Sequence, residues 1–274
     1  MLCCTAISIT SFQRPMNITQ PPQKTIVITG ATGAIGGALA FEYAAPGVSL
    51  VLQGRDQQQL EALAVRCQQR GALTQCTSFD LRDTAKLRAW AAELCITTPP
   101  DLLIANAGMN INIGENGVGE RWEEMEALLD LNIKSTLALV SSIAGAMRQR
   151  GAGQIAIISS LAAYYGLPVT PSYSASKAAV KAYGEGLRGW LAADNVGVTV
   201  VMPGYVASPM CQAMPGPKPL LWTPERAARV IRKGLDKNRA RISFPFPLNF
   251  GTWWLAVLPS ALSQRILKLL NYGA

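Results

Sequence analysis

The 274-residue chain contains no histidine. That absence excludes every Ser-His or Cys-His catalytic triad and removes the commonest nitrogen ligand of zinc. Its six cysteines stand at positions 3, 4, 67, 76, 95 and 211, and none forms a Cys-x-x-Cys pair. No metal site is therefore expected. A disulfide scaffold is not expected either in a chain this long, and a reducing cytoplasm is the simpler setting. The sequence also lacks an internal repeat and any basic-aromatic nucleic-acid module, so its formal charge of +8 carries no expectation of nucleic-acid binding. The basic stretch that opens a signal peptide is missing too. The chain begins Met1-Leu2-Cys3-Cys4, and its first basic residue is Arg14. Residues 1–23 are expected to form a disordered leader, with Met16 as an alternative start.

What is present is a core. Apolar residues make up 49% of the chain, enough for one large α/β domain. Short β-branched runs alternate with helical patterns. Strands are expected at Thr25–Thr29, Ser49–Gln53, Thr74–Phe79, Leu102–Ala105, Gln154–Ser159 and Gly197–Met202. Helices are expected at Gly36–Tyr43, Gln57–Arg70, Thr84–Leu94, Trp122–Arg150 and Tyr173–Ala193. This order predicts a doubly wound parallel sheet of the Rossmann type with helices on both faces, over residues 24–243. Residues 244–274 follow as an apolar extension. Ligands of such sheets bind beyond the carboxyl ends of the strands, and the notable residues all fall there.

After the first strand comes Thr29-Gly30-Ala31-Thr32-Gly33-Ala34-Ile35-Gly36. Glycine in such a turn lets backbone approach a pyrophosphate, and the next helix aims its free N–H groups at the phosphates. The second strand ends in Gln53-Gly54-Arg55-Asp56. An NAD site usually places an acid there, whereas Gln53 is neutral and the Arg55 guanidinium can pair with a 2′-phosphate. NADP(H) is therefore expected over NAD(H), with Asp56 as the residue that argues the other way. Tyr173 and Lys177 lie four residues apart on one helical face. A nearby ammonium would lower the phenol's pKa and let it exchange a proton with a substrate oxygen while hydride moves at carbon.

Together these motifs resemble the short-chain dehydrogenase/reductase family, over roughly residues 24 to 210. The loop fits both the shorter branch, through Gly30, Ala34 and Gly36, and the extended branch, through Gly30, Gly33 and Gly36. Chain length and the later motifs favour the shorter, dehydrogenase-rich branch. The resemblance implies further roles. Thr32 and Ile35 join the loop around the cofactor. Asp80-Leu81 contacts the adenine, although an aspartate there would serve equally as a helix cap. Asn106-Ala107-Gly108 borders the cofactor and supports the sheet. Ser160, thirteen residues before Tyr173, polarises the reacting oxygen, with Ser159 as its competitor. Lys177 also holds the nicotinamide ribose. Asn132 binds a water beside the lysine. Pro203-Gly204, Val206 and Ser208 hold the nicotinamide end, Ser208 standing where threonine is commoner. The family also implies a homodimer or homotetramer built on the long helices at Trp122–Arg150 and Tyr173–Ala193, both rich in small residues.

The expected activity is thus NADP-dependent oxidation or reduction at a CH–OH/C=O carbon. A nucleotide-sensing binding protein without catalysis is one alternative. An epimerase or dehydratase of the extended branch is another, disfavoured by the short C-terminal part. Four prolines and a glycine within Pro209–Pro219 predict that Cys211–Leu221 is a mobile loop over the site. Its apolar side chains suggest an apolar substrate.

The end of the chain stands outside these motifs. Ile242–Gln264 holds no charged residue, and Trp253 to Leu258 is its apolar centre. Pro245, Pro247, Gly251 and Pro259 interrupt it, so a simple spanning helix is not expected. Glu225–Arg241, just before it, holds seven basic and two acidic residues. Such a pair of segments suits peripheral docking on the inner face of a membrane. The competing expectation is that the stretch folds back as a wall of the substrate pocket or as a subunit contact.

Overall fold

The alternation seen in the sequence becomes a seven-stranded parallel sheet in the computed structural model, which describes residues 24–114, 117–270 and 272. The expected leader, residues 1–23, lies outside the described residues. The strands are β1 (Lys24–Thr29), β2 (Val48–Gly54), β3 (Leu73–Ser78), β4 (Leu102–Ala105), β5 (Gly153–Ile158), β6 (Val196–Pro203) and β7 (Arg241–Phe244). Their order across the sheet is β3-β2-β1-β4-β5-β6-β7. Ile26, Val27 and Ile28 are all fully buried, so both faces of β1 are covered. That explains why the strand reads as a continuous apolar run without alternation.

Two helical layers cover the sheet. On one side α1 (Ala34–Tyr43), α2 (Gln57–Gln68) and α8 (Pro224–Leu235) pack around Leu39, Leu60 and Ile231. On the other, α3 (Thr84–Thr97), α5 (Thr136–Arg150) and α6 (Pro171–Leu191) enclose Leu87, Ile143 and Leu187. The chain reverses its winding between β1 and β4, and such a switch point opens a crevice at the carboxyl edge.

Four details differ from the sequence expectation. The helix expected at Trp122–Arg150 is three pieces in line: α4 (Trp122–Leu129), a π-helical turn at Asp130–Ser135, and α5. Such wide turns collect at functional sites, and this one carries Asn132. The second detail is β7, which the sequence reading assigned partly to the uncharged tail. Arg241-Ile242-Ser243-Phe244 alternates, with Ile242 and Phe244 buried beneath α8 and the sheet edge. Four residues are too short to separate from an adjoining uncharged run by periodicity. The third concerns Cys211–Leu221. Pro209–Gln212 forms a helical turn, α7, capped by the Ser208 hydroxyl, and only the residues after it are irregular.

The last is the extension. Residues after β7 form α9 (Leu248–Val257) and α10 (Ser260–Leu269), which fold back over the carboxyl end of the sheet. Gly204 makes the return possible, because a Cβ there would lie 2.9 Å from the Pro245 ring and 3.2 Å from Leu248. Among the described residues one helical stretch, Trp122–Arg150, is long and apolar enough by length and composition to cross a membrane. Its Leu139, Val140, Ile143 and Met147 are buried against the sheet, as in the core helix of a globular domain.

Candidate active site

A cavity of about 700 Å³ lies at the carboxyl ends of the strands. Of the twenty residues assigned to cofactor or catalysis from the sequence, eighteen line it and two do not. Gly30, Thr32, Gly33, Ala34, Ile35, Arg55, Asp80, Leu81, Asn106, Ala107, Gly108, Ser160, Tyr173, Lys177, Pro203, Gly204, Val206 and Ser208 all line it. Gly36 and Asn132 do not.

Gly36 works behind the wall. A Cβ there would come within 2.3 Å of the Gly30 carbonyl and 2.7 Å of the Asn106 amide. Its bare Cα lets α1 start hard against the loop. Gly30 has φ +60°, a left-handed conformation that favours glycine, and a Cβ on it would strike Ala107 at 2.9 Å. Asn106 secures this junction by donating from Nδ2 to the carbonyls of Thr29 (2.9 Å) and Gly30 (3.1 Å). The first turn of α1 follows Gly33, which offers no side-chain cap. Its N–H groups are thus left for a ligand.

At the end of β2 the polar residues divide their tasks. Gln53 is buried and donates to the carbonyls of Gly54 (3.2 Å) and Phe79 (2.8 Å), which ties β2 to β3. Asp56 turns onto its own helix, accepting from the Gln59 backbone at 3.0 Å and from its side chain at 2.8 Å. Arg55 alone of the three charged or polar neighbours is exposed and also borders the cavity. Asp80 does not cap α3, a task Asp83 performs. It pairs instead with Arg82 at 2.6 Å. Hydrogen bonding to Arg82 holds the Asp80 carboxyl below its ordinary range. Arg82 also reaches the cavity, a contribution the sequence reading missed.

The two serines at the end of β5 separate cleanly. The Ser159 hydroxyl is buried and donates to the Lys177 carbonyl at 2.7 Å. Ser160 instead borders the cavity together with Tyr173, and its hydroxyl accepts from the Ala162 N–H at 3.2 Å. Burial pushes the Tyr173 phenol above its ordinary value, with the influence of the neighbouring Ser160 hydroxyl opposing. The sequence argument expected Lys177 to lower it. The Lys177 ammonium lies 5.7 Å from the Tyr173 ring centre and is itself pushed down to about 8 by burial. Its Nζ donates to the Ile158 carbonyl at 2.9 Å. Desolvation therefore outweighs the mutual influence of the pair.

Asn132 holds backbone rather than facing the cavity. Its Oδ1 accepts from the Met109 N–H at 2.8 Å, and its Nδ2 donates to the Met109 carbonyl and the Ser176 hydroxyl, both at 2.9 Å. A Cβ on Gly108 would sit 3.1 Å from Asn132 Oδ1 and 3.2 Å from Lys177 Nζ. The absence of a side chain at Gly108 thus keeps open a small space between the two.

The far wall was only partly legible. Leu248, Gly251, Thr252 and Leu255 of α9 line the cavity, as do Ile266 and Leu267 of α10. Tyr272 closes the end by hydrogen-bonding Tyr205 at 2.9 Å and donating to the Pro217 carbonyl at 2.6 Å. The extension and the 213–221 segment are therefore tied to each other over the site.

Comparison with known proteins agrees with this geometry. The family model described as short chain dehydrogenase matches residues 24–217. An uncharacterized oxidoreductase of Myxococcus xanthus is 32% identical over 90% of this chain and 98% of its own length. Dehydrogenase/reductase SDR family member 7B of Danio rerio is 34% identical over 68% of this chain and 62% of its own. Among solved structures, a short-chain dehydrogenase from Sphingobium yanoikuyae in complex with NADPH superposes with a TM-score of 0.76 at 26% identity. That match covers 89% of this chain and 95% of the other.

Proposed function

The chain belongs to the short-chain dehydrogenase/reductase family of oxidoreductases, and from that premise we propose that it moves hydride between NADP(H) and a carbonyl or alcohol carbon of an apolar substrate. The observation that carries this reading is the Ser160–Tyr173–Lys177 cluster, which shares one cavity with the glycine loop.

The residues present fit a dinucleotide. The uncapped start of α1 and the left-handed Gly30, which packs too close to Ala107 for a Cβ, leave bare backbone facing the cavity. Gly30, Thr32, Gly33, Ala34 and Ile35 would hold the pyrophosphate, with Gly36 shaping the turn behind them. Asp80 and Leu81 would border the adenine. Asn106, Ala107, Gly108, Pro203, Gly204, Val206 and Ser208 would flank the nicotinamide half, and Lys177 its ribose. When bound, the cofactor supplies or accepts the hydride. Preference for NADP(H) rests on Arg55, because the neighbouring acid Asp56 is spent on its helix cap and Asp80 is matched by Arg82.

In reduction, Tyr173 as a neutral phenol donates its proton to the substrate oxygen while the carbon gains hydride. Ser160 donates a hydrogen bond to that oxygen and stabilises the charge developing on it. The Lys177 ammonium then stands near the phenolate left behind. Asn132 is a positioning residue that fixes Met109 and Ser176 around the lysine. The apolar far wall supports an apolar substrate. The reading is tested by following NADPH absorbance with a panel of apolar ketones. Turnover by the native chain, lost in Tyr173→Phe while NADPH still binds, is expected. NADPH binding with no turnover of any ketone or alcohol would favour a sensor instead.

A further inference from the structure

The helix α9 is apolar on both sides. Leu248, Thr252 and Leu255 face the cavity. Phe250, Trp253, Trp254 and Val257, spaced i, i+3, i+4 and i+7, form a second stripe that is exposed. The three rings touch one another, with centres 5.4 to 5.9 Å apart. On α10, Leu262 and Leu269 are exposed on one face with Arg265 between them and Lys268 beside it. Single exposed apolar residues are ordinary, but a contiguous aromatic stripe marks a contact surface.

Charge identifies the occupant. Residues 195–274 hold ten basic and two acidic residues, of which Arg232 and Arg241 are ion-paired with Glu42 and Glu185. The last acidic side chain is Asp236. Among the described residues, Arg265 and Lys268 enter no ion pair with an acid. A second copy meeting this face through a two-fold axis would set the same basic residues against each other, with no acid after Asp236 to match them. Residues 1–23 contain no acidic residue either, so they bring no counter-charge. An anionic phospholipid surface satisfies both needs. It takes Trp and Phe at its headgroup boundary and attracts Arg and Lys.

We propose that α9 and α10 seat this protein on an anionic lipid bilayer, through the Phe250–Trp253–Trp254–Val257 stripe and the Arg265 and Lys268 cations. The surface is peripheral, since α9 spans ten residues and its other side walls the cavity. The proposal does not require the catalytic reading to hold.

The test is co-sedimentation of the full chain with phosphatidylcholine–phosphatidylglycerol vesicles and with pure phosphatidylcholine vesicles. The native chain should pellet with the anionic vesicles and release as salt rises. The double variant Trp253→Ala/Trp254→Ala should lose about tenfold or more of its partitioning. Arg265→Glu/Lys268→Glu, which alters only exposed side chains, should lose as much on anionic vesicles and be unchanged on neutral ones. Tyr173→Phe should pellet like the native chain, which separates docking from catalysis. A native chain that pellets with neither vesicle overturns the proposal. So does native-like binding by either double variant, or a tryptophan variant that light scattering shows to have lost a subunit.

Discussion

At the end of β2, Arg55 reaches the cavity rim while Asp56 turns back onto its own helix. The pair reads ambiguously in sequence, because one residue favours a 2′-phosphate and the other a ribose hydroxyl. Side-chain direction separates them, and that direction follows from the N-cap of α2, a local rule. Replacing Arg55 with alanine should raise the Kd for NADPH by roughly ten- to a hundredfold and leave NADH within about twofold, measured by fluorescence titration. Equal losses for the two cofactors would remove Arg55 from phosphate recognition. Lys177 gives a second prediction. Burial lowers its pKa to about 8, so its charge is present below that pH and lost as pH rises through it. The Tyr173 phenol is pushed the other way and keeps its proton over the same range. The kcat/KM for ketone reduction should therefore fall as pH rises through about 8, and Lys177→Arg, where active, should move that limb upward. A native profile flat to about pH 9 would contradict the role given to the ammonium.

Among the elements, those with long runs or strong punctuation were legible from sequence. The strand Leu102–Ala105 was read to the residue, and the glycine loop marked the turn into α1. What escaped was set by distant partners. Strand β7 exists because Val200–Pro203 offers it an edge, and nothing within its own four residues announces that. The π turn at Asp130–Ser135 leaves a helical pattern almost unchanged, yet it directs Asn132 onto Met109 and Ser176, away from the cavity. Asn132 was singled out by resemblance to a family element, and its bonds to Met109 and Ser176 were not read from the sequence. The helices α5 and α6 carry an element-scale prediction. Their exposed faces include Ser141, Gly145, Ala182, Gly186 and Gly189, and a Cβ on Gly145, Gly186 or Gly189 meets nothing within 4 Å. Such faces let a partner helix approach closely. Light scattering should find a dimer or tetramer, and Gly145→Arg/Gly186→Arg should yield monomers. A native monomer at working concentration would refute pairing through these helices.

Taken whole, the molecule closes one cavity between two unlike walls. The sheet side runs from Gly30 to Ser208, and most of its residues that line the cavity were singled out from motifs. The C-terminal side is α9, α10 and Tyr272, held to Tyr205 and Pro217. Composition announced that side as apolar but left open whether it faced a membrane or the pocket, and α9 presents one apolar face to each exterior and cavity. In the proposed reading, chemistry belongs to the sheet side and substrate choice to the helical side. The most direct test of the chemistry is the single-turnover rate of NADPH oxidation by an apolar ketone in the native chain and in Tyr173→Phe, with NADPH affinity measured on both. The account predicts a rate at least about a hundredfold lower in the variant, with cofactor affinity within about threefold. A variant that turns over at the native rate would contradict it.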